Sequence, residues 1–182
     1  MRKKVLETTE MLNKQMGDAL IELLKEKPLS KISIEELTKK ADVGRATFFR
    51  HFDSKEDLLS YRLVEIYKEY MGDSFDAPYS DIEHSIKFFN YYKDTLDLHL
   101  LILNNNLDSV IFEGFRKVLI PLEEQSGAAD IYTTFFTAYG LFGVILKWIK
   151  SGCKESSEEM AKLCRGLLSS IFSSLSVPYN HL

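Results

Sequence analysis

The segment Ser33–Leu59, reading SIEELTKKADVGRATFFRHFDSKEDLL, constrains the fold of this chain more than any other. It begins with a capping box, in which the Ser33 hydroxyl accepts from the third helical amide and Glu36 reaches back to the cap. Asp42 follows where the chain must turn, and Asp tolerates a left-handed backbone better than most residues. Ser54, with acidic residues behind it, can cap a further helix. The segment therefore predicts three short helices separated by tight turns.

The middle helix of the three is predicted over Gly44–His51 and carries mainly polar and basic side chains on about two turns. A helix of that length is marginal by itself, and a core helix of the same size would be more apolar. Two helices joined by a turn of three or four residues form a helix-turn-helix, here about residues 33–52. A recognition helix needs hydrogen-bond donors because the major groove presents phosphate oxygens and base edges. The segment is therefore predicted to bind DNA.

These residues resemble the DNA-binding domain of TetR-type transcriptional regulators, over roughly residues 8 to 70. The family pattern ends its recognition helix in aromatic-x-His-Phe, followed by Lys-x-x-Leu, and this chain has Phe49-Arg50-His51-Phe52 and Lys55-Glu56-Asp57-Leu58. The family usually has Tyr at position 49, where its hydroxyl commonly meets a phosphate, so Phe49 loses one hydrogen bond worth about 1 kcal/mol. It also favours Gly at position 42 and a small hydroxyl residue at position 44. These departures predict a weaker cap on the recognition helix.

The candidate DNA contacts divide into two groups. Arg45 and Thr47 are predicted to reach base edges, and Arg50 can reach either a base or a phosphate. Ser33, Phe49, His51 and Lys55 are predicted to contact the DNA backbone. The complete set of predicted DNA-binding residues is Ser33, Gly44, Arg45, Thr47, Phe49, Arg50, His51 and Lys55.

The charge distribution agrees with local contact to DNA rather than general affinity for polyanions. The whole chain has a net charge of −4. Residues 1–72 contain 14 Lys and Arg against 13 Asp and Glu, whereas residues 73–182 contain 9 against 14. The two parts thus carry +1 and −5, so the basic side chains near the motif can form a local patch.

Helical periodicity continues through the rest of the chain, and no alternation typical of β-strands occurs. We predict an all-α fold with an N-terminal three-helix helix-turn-helix DNA-binding domain over residues 1–71 and a helical regulatory and dimerisation domain over 72–182. The turn-rich stretch 72–78 marks the boundary. The other predicted helices are Thr9–Lys25, one opening at the capping box of Ser80, Asp97–Leu103, Asp108–Leu119, Ala129–Lys150 and one opening at Ser156.

Aromatic residues are concentrated in the second domain, which contains 16 of the 22 in the chain. Such a stripe at helical spacing is usually core, and the alternative is a cavity lined by aromatic rings with a few polar tips. The resemblance implies an inducer pocket in this domain, for a small hydrophobic or aromatic effector. The predicted lining residues are Tyr92, His99, Phe112, Tyr132, Phe136 and Tyr139.

The last two predicted helices are too apolar to be half-exposed. Gly140 and Gly143 permit close approach of another helix, and several serines near the chain end are small enough for tight packing. Two helices from each of two chains can form a four-helix interface, as the resemblance also implies. Packing within one chain is the alternative.

Enzymatic function is not expected. The sequence has no phosphate-binding glycine loop, no His-Glu-x-x-His pair and no G-x-S-x-G elbow, and its four histidines are scattered. No cofactor or metal is expected, Cys153 and Cys164 are expected to be reduced thiols, and no apolar run reaches the ~20 residues of a membrane span. The sequence thus indicates a cytoplasmic, ligand-responsive repressor that binds a palindromic operator in double-stranded DNA as a homodimer. The alternatives are an activator or co-regulator that binds a protein partner, and a helical adaptor that does not bind DNA.

Overall fold

A computed structural model describes residues 2–72, 81–119 and 128–174. Within these ranges the chain forms nine α-helices and one short 3-10 helix, with no β-strand, which confirms the predicted all-α fold. The α-helices are α1 Arg2–Glu26, α2 Ile34–Lys40, α3 Arg45–His51, α4 Lys55–Met71, α5 Ile82–Asp94, α6 Leu96–Asn104, α7 Asp108–Leu119, α8 Ala128–Lys150 and α9 Ser157–Ser174; the 3-10 helix is Leu29–Lys31.

Side-chain caps begin several helices where the sequence predicts them. The Ser33 hydroxyl accepts from the Glu36 amide at 3.1 Å, and hydrogen bonds from Lys27 and from the Ser33 backbone hold the pKa of Glu36 below its usual value. Helix α9 has a reciprocal capping box, because the Ser156 hydroxyl accepts from the Glu159 amide at 3.2 Å while the Glu159 carboxylate accepts from the Ser156 amide at 2.7 Å.

Helix α5 begins one residue later than the predicted capping box. Its N-cap is Asp81, which accepts from the Glu83 amide at 3.0 Å. Ser80, the predicted cap, lies outside the described residues. Asp81 is a strong cap for the same reason as Ser, since a short side-chain oxygen can reach an unpaired amide of the first turn.

Left-handed residues end helices at the predicted turns. Asp42 has φ 52° between α2 and α3, and Asn106 has φ 58° between α6 and α7. Gly152, at φ 82°, and Cys153, at φ 51°, follow the end of α8. Short polar residues and glycine supply these conformations at low steric cost, whereas Cys153 has no such advantage.

The chain folds into two compact units, residues 1–66 with 101–114 and residues 67–100 with 115–182. In the first unit α2 packs against both α1 and α3. Its core contains fully buried residues from each of the helices α1 to α4, namely Met16, Leu20, Leu37, Phe48, Leu58 and Leu59. The first unit thus includes the turn between α6 and α7 in addition to the N-terminal helices. The division into domains at residue 72 stays a prediction.

In the second unit helix α5 packs against α9. The Phe89 ring meets the Trp148 ring of α8 edge to face, with centroids 5.5 Å apart. Phe88, Tyr91 and Tyr92 are also buried, so most aromatic residues of α5 belong to the core. No helix within the described ranges is long and apolar enough to cross a membrane.

Candidate nucleic-acid interface

Backbone hydrogen bonds fix the turn that joins α2 to α3. The Ala41 amide donates to Leu37 O at 3.0 Å, and the Val43 amide donates to Thr38 O, also at 3.0 Å. Helix α3 then begins at Gly44, whose carbonyl accepts from the Thr47 amide at 2.8 Å. The turn therefore sets the direction of α3 through main-chain bonds, independently of the side chains that α3 exposes.

Phe48 determines which side of α3 faces outward. Its ring is only 1% exposed, so the opposite face of the seven-residue helix lies in solvent. Arg45, Ala46, Phe49 and Arg50 make up that exposed face, as expected for positions four residues apart on a helix. Two cationic side chains, one aromatic ring and one methyl group are thus available to a ligand on one face.

Thr47 and His51 are half-buried at the edges of this face. Ala46, which was not among the predicted contacts, is fully on it. The spacing of Ala46 from Arg50 would have revealed its position, because residues i and i+4 share a helix face. An alanine methyl group can contact the C5-methyl group of thymine, so Ala46 is a further candidate for base contact.

Arg45 and Phe49 interact with each other on the exposed face. The guanidinium carbon of Arg45 lies 5.5 Å from the centroid of the Phe49 ring, within the range of a cation–π interaction. The Phe49 ring is 59% exposed and meets the buried Phe48 ring edge to face, with centroids 5.4 Å apart. Phe49 is therefore anchored on one side and available on the other.

The N-terminus of α3 lacks a side-chain cap, as the departure at Gly44 predicts. Gly44 is the N-cap residue, with φ −70° and ψ 140°, and makes no side-chain hydrogen bond. An added Cβ at this position would meet nothing closer than the Thr47 hydroxyl, at 3.9 Å. Steric crowding therefore does not explain the glycine. Ser33, at the start of α2, is exposed and uses its hydroxyl as the acceptor of the α2 cap, which leaves its own proton available for a further acceptor.

Lys55, which is predicted to contact the DNA backbone, makes hydrogen bonds within the protein. Its Nζ donates to Leu29 O at 2.6 Å and to Ile32 O at 2.7 Å. Both carbonyls belong to the connection between α1 and α2, so Lys55 ties that connection to the start of α4. The ammonium group has three protons, and two of them are used within the protein.

Among the predicted pocket residues, Tyr92 and His99 are buried and adjacent, with ring centroids 4.9 Å apart. Nδ1 of His99 lies 2.9 Å from Thr95 O, and burial lowers the pKa of His99 to about 4, against the opposing effect of that hydrogen bond. His99 is therefore neutral at pH 7, with Nδ1–H as the natural donor to the carbonyl oxygen.

The other predicted pocket residues are not enclosed with them. Tyr132, Phe136 and Tyr139 are 79%, 64% and 55% exposed in the chain, which differs from the enclosed pocket predicted for them. Phe112 is half-buried and belongs to the first compact unit, whereas Tyr92 and His99 belong to the second. Helix periodicity places aromatic residues on a shared face but does not say whether that face turns inward.

Comparisons with known proteins agree with the geometry of the α2–α3 segment. Residues 18–61 match a family model described as bacterial regulatory proteins, tetR family. Residues 82–170 match a second model, described as a transcriptional regulator C-terminal region. The chain belongs to the TetR family of transcriptional regulators. As a TetR-family regulator, it has a helix-turn-helix DNA-binding domain.

Individual relatives of this TetR-family chain are distant. It is 24% identical over 172 residues to the uncharacterized HTH-type transcriptional regulator YxbF of Bacillus subtilis (strain 168), a match covering 84% of this chain and 43% of YxbF. The chain thus spans less than half the length of that relative. The structure of DhaS, the dihydroxyacetone kinase operon activator, aligns with a TM-score of 0.51 at 17% identity, over 90% of this chain and 97% of DhaS. The TetR family repressor AlkX from Dietzia sp. strain DQ12-45-1b aligns with a TM-score of 0.48 at 16% identity, over 87% and 94% of the two chains.

Proposed function

We propose that this regulator is a ligand-responsive repressor that binds a palindromic operator as a homodimer. The observation that carries the proposal is the exposed face of α3, where Arg45, Ala46, Phe49 and Arg50 lie together. A dimer would insert two such helices into successive major grooves, about 34–36 Å apart. Occupation of a promoter by that complex would then block transcription.

The contacts on each half-site follow from exposure and chemistry. Arg45 and Ala46 are the best placed for base edges, with Thr47 beside them, and Arg50 supplies a second cation for a phosphate or a base. Ser33 and His51 are proposed to contact phosphate from the rim of the face. Lys55 is left out of the proposed contacts because two of its three donors already bind backbone carbonyls.

An exposed apolar face on α8 supports the homodimer. Tyr132, Phe136 and Tyr139 are spaced by four and three residues and lie largely in solvent in the single chain. At Gly140 and Gly143 an added Cβ would meet nothing within 4 Å. Single apolar side chains on a surface are ordinary, but a row of aromatic rings beside bare backbone is typical of an interface. A second copy of α8 and α9 is proposed to cover this face.

Substitution of Phe136 tests the proposed interface. Phe136→Asp should shift the protein toward monomer in sedimentation velocity, because the carboxylate would be buried without a partner. Met11→Asp is the matched control, since Met11 is also exposed but lies on α1, outside the proposed interface. If both variants sediment as the same species as the wild type, the proposed interface is refuted.

The effector is proposed to bind in the second unit, beside the buried pair of Tyr92 and His99. Sites for small hydrophobic or aromatic molecules are commonly lined by such rings, and neutral His99 can take part in a hydrogen bond without the cost of a buried charge. The effector would shift the population of dimers toward a spacing of the recognition helices that does not match the operator.

A second candidate is an activator or co-regulator whose second unit binds a protein partner. The exposure of Tyr132, Phe136 and Tyr139 favours it, since a protein can cover such a face as well as a second copy can. The fold likeness to DhaS, described as an operon activator, is compatible with this alternative. A reporter fused to the bound promoter separates the candidates, because deletion of the gene raises expression for a repressor and lowers it for an activator.

Selection of bound duplexes from a randomised DNA pool tests the DNA-reading step directly. The wild-type protein should enrich an inverted repeat, and affinity for the enriched duplex should fall steeply as the salt concentration rises. Enrichment of no shared sequence would refute sequence-specific operator binding. Enrichment of a single half-site would refute the dimeric arrangement while leaving DNA reading intact.

A further inference from the structure

Phe49 is an unusual residue to expose at the centre of a DNA-reading face. More than half of its surface lies in solvent, between Arg45 one turn earlier and Arg50 directly after it. The edge-to-face contact with Phe48 limits the motion of its ring, because Phe48 itself is buried in the first unit. One face of the Phe49 ring is thereby offered at a defined place on α3.

The guanidinium group of Arg45 lies over the Phe49 ring. Its guanidinium carbon lies 5.5 Å from the ring centroid, and among the described residues no carboxylate forms an ion pair with it. The aromatic ring is thus the one partner that the described structure shows for this cation. Contact with a ring engages the flat side of a guanidinium group and leaves its N–H edge directed away from the ring.

That N–H edge is the part that recognises guanine, through two parallel hydrogen bonds to O6 and N7. A free arginine side chain at a helix surface samples many rotamers, and ordering it opposes binding. A ring that already restricts the guanidinium group reduces this cost before the DNA arrives. It also keeps the two donors side by side, which a flexible side chain does only part of the time.

We propose that Phe49 is a positioning residue, whose ring holds the Arg45 guanidinium group for bidentate contact with a guanine in each operator half-site. This inference rests on the proposed function, in which α3 reads a DNA sequence. It assigns Phe49 a role in specificity rather than the backbone contact predicted from the sequence. The inference also predicts that Arg45 prefers guanine to adenine. Guanine offers two acceptors, O6 and N7, whereas adenine offers a donor, its N6 amino group, in place of O6.

The size of the expected effect follows from the exposed position of the pair. A cation–π contact at an exposed site corresponds to about a two- to fivefold change in an equilibrium constant. DNA binding would remove water from the pair and so strengthen the contact. Phe49→Leu should therefore reduce the preference for guanine at the Arg45 position by about two- to fivefold or more. Its salt dependence should match that of the wild type, because no charge is lost.

The experiment compares five proteins on duplexes enriched by the wild-type protein, with each of the four bases tested at the most specific guanine. They are the wild type, Phe49→Leu, Phe49→Tyr, Arg45→Ala and the double variant that combines Arg45→Ala with Phe49→Leu. Phe49→Tyr should retain the guanine preference, because it keeps the aromatic face. In the Arg45→Ala background, a further Phe49→Leu change should have no additional effect on base preference. Thermal unfolding of each variant checks that α3 remains folded.

Three outcomes would overturn the inference. A uniform loss of affinity for all four bases in Phe49→Leu would show only a van der Waals contact with the DNA backbone. Equal base preference in Phe49→Leu and the wild type would show that the ring does not position Arg45. Failure of the wild type to enrich any sequence would refute the proposed function itself, and the inference with it, so the two failures are distinguishable.

Discussion

Replacement of Lys55 by alanine distinguishes a structural lysine from a phosphate-binding one. The Nζ atom donates to the carbonyls of Leu29 and Ile32, and the residue is partly buried. Hydrogen bonds from a charged donor are worth about 1.5–3 kcal/mol each. Ordering the long lysine side chain opposes them by up to about 2 kcal/mol. The net contribution of the two bonds is therefore about 1–4 kcal/mol, and we expect Lys55→Ala to lower the free energy of unfolding by about 2 kcal/mol, within that range.

For a protein of this size, 1 kcal/mol corresponds to about 2–4 °C in Tm, so Lys55→Ala should lower Tm by about 4–8 °C. The matched control is Arg50→Ala, because Arg50 is also basic and close to the DNA-reading face but is exposed. Its substitution should leave the free energy of unfolding within about 0.5 kcal/mol of the wild type.

The salt dependence of DNA affinity should change in Arg50→Ala and not in Lys55→Ala, the reverse of the effect on stability. Arg50→Ala should reduce the slope of log affinity against log salt by about one for each bound subunit. Lys55→Ala, measured well below its Tm, should leave that slope unchanged. If Lys55→Ala instead keeps the wild-type Tm and flattens the salt dependence, the lysine is a phosphate contact and the structural assignment is refuted.

Three further predictions concern packing, protonation and backbone strain. Gly17→Ala should destabilise the protein by about 1–2 kcal/mol in urea unfolding, since an added Cβ would lie 2.7–2.9 Å from Cβ, Cγ and Cδ of Arg62. The control Gly166→Ala, where the added Cβ would meet nothing, should stabilise α9 by up to about 1 kcal/mol. Equal effects of the two substitutions would refute the close approach of Arg62 to Gly17. Because burial lowers the pKa of His99 to about 4, the unfolded chain binds a proton that the folded one does not as pH falls from about 6.5 to 4, and stability should drop by up to roughly 3 kcal/mol over that window. His99→Asn should remove this part of the pH dependence of stability. If the variant and the wild type lose stability equally as the pH falls, His99 is not the cause. Asp42→Gly should raise stability by about 0.5 kcal/mol in the same unfolding assay, because φ is 52° there, and a loss of stability would show that the Asp side chain has a further role.

The local features of the fold were predictable from short stretches of sequence. Ser33 and Ser156 begin helices because their hydroxyl groups reach amides only three residues away. Asp42 turns the chain because its own backbone tolerates a positive φ. The helix-turn-helix needs no information from the rest of the chain to be recognised, since its caps, turn and spacing all lie within about 27 residues. The resemblance to the TetR family was visible in the same segment.

The directions of side chains required the tertiary structure. Lys55 binds carbonyls 26 and 23 residues away, which no local pattern indicates. Phe48 turns inward, so Ala46 rather than Thr47 shares the exposed face with Arg45. A period of 3.6 residues groups side chains on one face but is the same whether that face is buried or exposed.

The aromatic residues of the second unit illustrate the same limit. Tyr92 and Tyr139 have the same side chain and both lie on periodic apolar faces, yet Tyr92 is buried and Tyr139 is exposed.

The sequence by itself determined the helices, their ends and the DNA-reading motif, because capping and turn energies act within about four residues. Only the tertiary structure decided which faces pack and which remain available to DNA, an effector or a second copy, because burial depends on contacts between residues far apart in the chain.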